Sequence, residues 1–170
     1  AAERRGAAEL ARQQAQLRGE VVLPPFTAPS GGCVGADVTG YPNGLIPREA
    51  LCPLWGAEWH ALRADAAAAF NAMSQEYART FSRPICVTDS YRSYEMQVDV
   101  RRRKPNMTAV PGTSNHGWGL AVDLCDGIEN FGTATHAWMQ LNAPRFGWYH
   151  PGWAAAGGSR PEPWHWEYGG

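Results

Sequence analysis

The chain has 170 residues, which is enough for one domain with a substantial hydrophobic core. Its 15 basic and 16 acidic side chains give a formal net charge of -1, so it lacks the strongly basic character of most nucleic-acid-binding proteins. No apolar stretch approaches the roughly 18 residues of a membrane-spanning helix, and we therefore predict neither a nucleic-acid partner nor a membrane span.

The N-terminal half contains a predicted helical tail, a loop region and a long helix. Residues 1–20 are rich in helix formers, so residues 1–30 are predicted to be a helical tail and linker, which leaves residues 31–170 as the predicted domain. Prolines and glycines interrupt residues 24–56. Over residues 58–81, apolar side chains recur at three- and four-residue steps and predict an amphipathic helix: Leu62, Ala66, Ala69, Phe70, Met73, Tyr77 and Phe81.

The middle of the chain alternates between strand and helix patterns. The β-branched residues of "ICVTDSY" predict a strand, and "SYEMQVDVRRRK" predicts a shorter helix that Pro105 ends. A polar loop over residues 105–119 follows. In "LAVDLC" apolar residues alternate with others, so we expect a strand whose apolar face excludes Asp123.

The C-terminal part predicts one more helix and two aromatic strands. Thr133 is a suitable N-cap for a helix that runs to about Asn142, with Trp138 and Leu141 directed inward. A flexible connector joins the strands predicted in "GWYHPGWA" and "PWHWEY". The order of elements predicts an α+β fold with a small, mainly antiparallel sheet and packed helices.

The cysteine pattern indicates an oxidising compartment. An even number of widely spaced cysteines without a C-x-x-C motif favours two disulfides over a cysteine zinc site. Cys33 and Cys52 flank one loop region, whereas Cys86 and Cys125 lie in predicted strands. Of the three possible pairings we therefore prefer 33–52 with 86–125, and four buried free thiols are the alternative.

Five histidines are candidate metal ligands. His60 and His136 fall within predicted helices, where a surface or packing role is the simpler explanation. His150, in "WYHPGW", could line a cleft or simply end an aromatic strand. His116 and His165 differ because acids accompany them in glycine- or proline-flanked segments.

A catalytic zinc site needs three nitrogen or oxygen ligands and one open position. His116, Asp123 and His165 could supply these ligands, and a nearby carboxylate, Glu162 or Glu167, could act as a general base. The H-x6-D spacing is loose, so a tight turn that leads into an ordinary strand remains an alternative explanation on spacing alone.

Three motifs add a family resemblance. "SNHGWGLAVD" followed by "EPWH", together with "DSYRSYEMQ" upstream, resembles the VanY-type D-alanyl-D-alanine carboxypeptidases of the LAS group of zinc metallopeptidases. The resemblance covers roughly residues 50–169 and keeps the family's motif order, and the first 30 residues lie outside it. The upstream block departs from the family's pattern at Asp89.

The resemblance implies a role for each matching residue. Glu162 would be the general base, and Arg92 would meet the substrate's carboxylate or the developing oxyanion. The implied zinc ligands are His116, Asp123 and His165, and the implied contacts to the substrate's terminal D-residue are Gln97 and Ser114.

The choice between the two candidate bases involves a conflict in strand parity. In a regular strand, Glu162 would face away from His165, whereas Glu167 would share its face. Pro161 and Pro163 bracket Glu162 and disfavour ladder pairing, so we expect an irregular approach that brings its carboxylate to the metal. Glu167 is the fallback.

The resemblance implies a zinc-dependent peptidoglycan peptidase that removes a terminal D-alanine from cell-wall stem peptides. It also implies a bacterial, exported enzyme that is extracellular or cell wall-associated, and we expect it to be a monomer. The alternatives are an endopeptidase or an L,D-carboxypeptidase of the same fold, and a non-catalytic zinc-containing binding module. Glu162 argues against the last of these, because binding alone needs no base.

Overall fold

The computed structural model describes residues 32–170, so the helical tail predicted for residues 1–30 lies outside the described part. No helix within residues 32–170 has the length and apolarity that crossing a membrane requires. The three α-helices of this part are α1 (Ala64–Phe81), α2 (Tyr94–Arg103) and α3 (Ala134–Asn142). The strands are β1 (Cys52–Leu54), β2 (Ala57–Leu62), β3 (Val87–Asp89), β4 (Ala121–Leu124), β5 (Trp148–Tyr149) and β6 (His165–Tyr168).

The strands β1 and β2 form a hairpin that the sequence reading missed. The helix predicted for residues 58–81 is correct only over α1, because the residues before α1 pair with β1 as an antiparallel strand. Gly56 adopts a φ of 77° in the tight turn between the two strands. Leu62 fits the helical spacing but is the last residue of β2, and it is fully buried there.

The second sheet has the order β3-β4-β6-β5, and all its neighbouring strands are antiparallel. Val122 and Leu124 face the core, as the alternation in β4 predicts, and Asp123 faces the other way. Asp89 lies opposite Asp123, and Asp123 lies opposite His165. These three residues therefore form one row across the sheet, which we call the polar row.

The hydrophobic core lies between α1 and the apolar face of this sheet. Phe70 of α1 contacts Trp148 of β5 edge to face, with ring centroids 5.6 Å apart, and Tyr77 contacts Trp138 in the same way at 5.1 Å. Trp166 of β6 is also fully buried in this core. The α+β fold and the small antiparallel sheet are thus confirmed.

Helix α3 begins at the predicted N-cap, Thr133, whose hydroxyl accepts a hydrogen bond from the backbone N–H of His136. The inward direction predicted for Leu141 is wrong, because this side chain is 40% exposed. The buried face of α3 instead includes His136 and Met139. His136 is a packing histidine whose Nδ1 lies 2.8 Å from the carbonyl oxygen of Ile128.

Both predicted disulfides are confirmed. Cys33 pairs with Cys52, which ties the N-terminal loop region to β1, and Cys86 pairs with Cys125, which joins the segments beside β3 and β4. The residues from 32 to 170 include no free cysteine. The second bridge therefore reinforces the strand pair that carries two members of the polar row.

Candidate metal centre and active site

Three side chains converge on the polar face of the sheet, at the positions predicted as metal ligands. Nε2 of His116 and Nδ1 of His165 lie 3.3 Å and 3.1 Å from the same oxygen, Oδ1 of Asp123. Each residue offers one ligand atom, and these three atoms lie within 4.8 Å of one another. His60, His136 and His150 are not part of this group.

His116 is held on a short 3₁₀ turn, Asn115–Trp118, that leads into β4. The turn begins at Ser114, whose hydroxyl accepts a hydrogen bond from the His116 backbone N–H. Nδ1 of His116 donates to the carbonyl oxygen of Ser90 at 2.8 Å. Because a carbonyl can only accept, this contact fixes the tautomer and leaves the Nε2 lone pair directed at the Asp123 side.

His165 is oriented by its position on β6 and by a carboxylate. Nε2 of its ring lies 3.0 Å from Oε1 of Glu167, and the hydroxyl of Tyr149 donates to Oε2 of the same carboxylate at 2.9 Å. Glu167 therefore holds the ring nitrogen that faces away from Asp123, in the carboxylate–histidine arrangement that supports many metal ligands. Trp153 stacks against the His165 ring, with ring centroids 5.2 Å apart.

The charges of this group stabilise one another. Burial alone would raise the pKa of the Asp123 carboxyl, but His116 and His165 hold that pKa well below its usual range. Burial likewise disfavours protonation of His165, yet its hydrogen bonds to Asp123 and Glu167 outweigh burial and raise its pKa to about 9. A concentrated negative charge at Asp123 is therefore built into the site.

The donor set fits zinc. Two imidazole nitrogens and one carboxylate oxygen are ligands that zinc accepts, and three protein ligands leave a position open, as catalytic zinc sites require. Both imidazoles have their second nitrogen occupied by a hydrogen-bond acceptor, which leaves the first available for a metal. We therefore regard His116, Asp123 and His165 as a candidate zinc centre.

Glu162 reaches the site from an irregular segment before β6, as predicted. This segment folds back on the 3₁₀ turn Gly152–Ala154, since Arg160 N–H donates to the Trp153 carbonyl and Glu162 N–H donates to the Ala154 carbonyl. The connector predicted to be flexible is thus hydrogen-bonded to itself, and we call residues 152–162 the arm. It places Trp153, Arg160 and Glu162 along one cavity.

The Glu162 carboxyl is buried beside a cation. Burial raises its pKa, although His165 and Arg160 oppose this effect. Nε of Arg160 lies 3.0 Å from Oε1 of Glu162. His150 supports the arm from below, because its Nε2 donates to the Glu162 carbonyl oxygen at 2.8 Å, and burial lowers the pKa of His150 to about 4.

Arg92 lies at the same cavity and is held by acids. Its Nε and Nη2 both contact Oδ2 of Asp89, and Nη2 lies 3.5 Å from Oδ2 of Asp123. The position at which the sequence departs from the family's pattern thus carries the carboxylate that orients Arg92. The side chain of Arg92 is only 11% exposed.

The two residues predicted to hold the substrate's terminal D-residue are placed differently. Ser114 lines the cavity, whereas Gln97 lies behind it, in contact with other protein groups. Its amide nitrogen donates to Asn43 and to the Arg92 carbonyl, and its amide oxygen accepts from the Gly112 N–H. A direct contact between Gln97 and substrate stays a prediction.

The sequence reading missed a brace behind His116. Asn43, in the N-terminal loop region, donates to the Ser114 carbonyl oxygen at 2.7 Å, and Gly44 N–H donates to the Gly117 carbonyl. A Cβ added at Gly117 would lie 1.9 Å from Oδ1 of Asn43, so this close approach requires glycine. No local pattern indicates such a contact, because it joins distant segments.

The cavity has a volume of about 300 Å³. The ligand group and the arm line it, and so do Trp153 and Trp164, which do not belong to the core. The end of α2 and the following loop also line it, including Lys104 and Met107. Trp148 and Trp166 lie in the core instead.

Comparisons with known proteins point to one family. The family model described as "VanY: D-alanyl-D-alanine carboxypeptidase" matches residues 59–170. A D-alanyl-D-alanine carboxypeptidase of Enterococcus faecalis is 46% identical over 66 residues, which cover 36% of this chain and 25% of the relative. The match thus spans about a quarter of the length of that curated relative.

Solved structures share the fold. A vancomycin-resistance D,D-pentapeptidase VanY in complex with Zn(II) is 28% identical, with a TM-score of 0.55 over 71% of this chain and 78% of that chain. VanYB in complex with D-alanine-D-alanine is 24% identical, with a TM-score of 0.56 over 88% and 86% of the two chains. The D,D-dipeptidase VanXYg, in complex with a D-Ala-D-Ala phosphinate analogue, is 22% identical, with a TM-score of 0.57 over 78% and 60%.

Proposed function

The chain belongs to the VanY family of D-alanyl-D-alanine carboxypeptidases, and from this premise we propose that it is a zinc-dependent peptidoglycan peptidase that removes the terminal D-alanine of stem peptides. The observation that carries the proposal is the convergence of His116, Asp123 and His165 beside a cavity that Glu162 also lines. The zinc in a related VanY and the D-alanine-D-alanine in VanYB support the same metal and substrate class.

We assign the three converging residues as zinc ligands. When bound, zinc would polarise the scissile carbonyl and activate a water molecule for attack. The Ser90 carbonyl and the Glu167 carboxylate fix the orientation of the two histidine rings, so His116 and His165 would meet the metal without rearranging.

Glu162 is assigned as the general base and acid. Its carboxylate accepts the proton of the attacking water and then delivers it to the nitrogen of the leaving amine. Burial suits it to this role, because a raised pKa moves a carboxyl closer to the pH at which it both takes and gives a proton.

Arg92 is assigned to charge stabilisation. Its planar guanidinium is fixed by Asp89 and lies at the cavity, so it can meet negative charge that develops on the scissile carbonyl oxygen without rearranging. Ser114 also lines the cavity and is assigned to contact the terminal residue of the substrate. Gln97 supports these two residues through the Arg92 carbonyl and Asn43.

The proposal includes export from a bacterial cell to the cell wall. Two disulfides persist in oxidising compartments, and the substrate class lies outside the cytoplasmic membrane. We further propose that the enzyme acts as a monomer, with residues 31–170 as the peptidase domain.

Mass spectrometry of purified stem peptides would test the function. Zinc-loaded protein is expected to shorten a pentapeptide stem by the mass of one alanine, and a chelator should prevent the loss. Cleavage into larger fragments would instead identify an endopeptidase, and shortening only of tetrapeptide stems would identify an L,D-carboxypeptidase. Zinc binding without any cleavage would identify a binding module.

A further inference from the structure

The cavity contains a cation that the assignments above do not use. Arg160 lies on the arm, and its side chain is 41% exposed, whereas Arg92 is 11% exposed. Among residues 32–170, the two terminal nitrogens of Arg160 form no hydrogen bond, and its closest ion-pair contact is made by Nε with Glu162. Arg160 thus offers its terminal N–H donors to the cavity that it lines, whereas Nε and Nη2 of Arg92 already donate to Asp89.

The guanidinium of Arg160 is held in place by Trp153, although its Nε–H has no hydrogen-bond acceptor. It stacks over the Trp153 ring at 4.8 Å from the centroid, and its backbone N–H donates to the Trp153 carbonyl oxygen. Its Nε is buried and 3.0 Å from Glu162, but this ion-pair contact lacks the geometry of a hydrogen bond. The exposed part of the side chain is therefore the terminal end of the guanidinium, which an acceptor in the cavity can reach.

The chemistry of the cavity indicates which acceptor fits. An arginine stacked on an aromatic ring presents a planar fork that matches a carboxylate in two parallel hydrogen bonds. Arg92 already faces Asp89 and Asp123, so a third carboxylate there would meet two like charges. At Arg160 the only carboxylate within ion-pair distance among the described residues is Glu162.

We propose that Arg160 is a specificity-determining residue that binds a carboxylate of the peptide substrate. This inference rests on the proposed function and deepens it, because it selects peptides that carry a carboxylate near the scissile bond. That carboxylate has two possible sources, the free C-terminus of the leaving residue or the side chain of an acidic third stem residue. Arg92 is then left to stabilise developing charge.

Kinetics on four matched peptides test the proposal. Each ends in D-Ala-D-Ala, with a free or amidated C-terminus and with or without a carboxylate on the third residue. In Arg160→Gln, kcat/KM is expected to fall about 10- to 100-fold, mainly through KM, on peptides that carry the recognised carboxylate. On peptides that lack the recognised carboxylate, the variant and wild type should have the same kcat/KM. Comparing the four peptides therefore shows whether the C-terminus or the third residue supplies that carboxylate.

Two further variants serve as comparisons. Arg160→Lys keeps the charge but loses the fork, so it should recover only part of the affinity. Arg79→Gln removes an exposed arginine that also pairs with a glutamate, Glu76 at 3.4 Å, and should leave every rate unchanged. An equal fall in kcat on all four peptides in Arg160→Gln would show that Arg160 acts only through Glu162, and no fall at all would also overturn the proposal.

Binding separates this inference from the proposed function. If zinc-loaded wild type releases no alanine from any peptide, the proposed function fails, and calorimetry on the same four peptides still tests Arg160. The inference then predicts weaker binding by Arg160→Gln only for peptides with the recognised carboxylate. Equal Kd values for the variant and wild type would refute it.

Discussion

Two carboxylates flank His165 in the sequence, and the fold gives them opposite environments. Glu162 lies on the arm before β6, where burial raises its pKa despite the nearby His165 and Arg160. Glu167 lies within β6, where its hydrogen bonds to His165, Asn115 and Tyr149 outweigh burial and lower its pKa to about 2. Environments that separate the pKa values of two acids in one site also separate their roles.

This contrast teaches why strand parity misleads here. Alternation along β6 places Glu167 on the same face as His165, which would nominate it as the base. The same alternation lets Glu167 contact the His165 ring, so its carboxylate is already engaged in holding that ring. The Glu162 side chain does not hold the His165 ring, because Glu162 precedes β6 and lies outside its hydrogen-bond ladder.

The largest expected effect is the loss of turnover when zinc is removed. We expect chelation to abolish turnover completely, since neither carboxylate can compensate for the lost polarisation of the scissile carbonyl. Turnover before chelation, after chelation and after addition of zinc is the measurement. Activity that persists in metal-free protein would refute the zinc assignment.

Replacement of the proposed base should have the next largest effect. Glu162→Gln is expected to lower kcat by about 10²- to 10⁴-fold, because the amide cannot take up the proton of the attacking water. Zinc content by metal analysis should stay as in wild type. Glu58→Gln, on the exposed side of β2, is the matched control and should be fully active.

Replacement of the second carboxylate should act on the metal instead of the proton. Glu167→Gln is expected to weaken zinc binding about 10- to 100-fold, because a neutral amide replaces the charged acceptor that orients the His165 ring. Saturating zinc should restore most of kcat. A loss of kcat at saturating zinc as deep as that of Glu162→Gln would mean that the two roles are reversed.

The smallest effect is expected for Tyr149, which acts on the proposed zinc site through Glu167. Tyr149→Phe removes the hydroxyl that donates to Glu167 and should lower the free energy of unfolding by roughly 1.5 to 3 kcal/mol, since the acceptor is charged and buried. Zinc affinity should change less than in Glu167→Gln. Thermal unfolding with and without zinc measures both, and a stability equal to that of wild type would contradict the prediction.

The features that could be predicted from the sequence are those with a local pattern. Alternation in "LAVDL" places Asp123 off the core face, and the two prolines around Glu162 indicate a segment outside the ladder. The β1–β2 hairpin was missed because Leu62 satisfies helical and strand spacing equally. Asn43 and Arg160 were missed because their roles depend on contacts made only after folding, with the Ser114 carbonyl and with Trp153.

The polar row makes the correct pairing of β4 with β6 a condition for assembling the proposed metal site. Asp123 and His165 are opposite neighbours on β4 and β6, so their meeting depends on the exact register of two strands distant in the sequence. A slip of one residue in β6 would turn His165 toward the core and bring Trp166 to the polar face. A chain paired in the wrong register would thus lack a proposed zinc ligand, and zinc binding would favour the correctly aligned sheet.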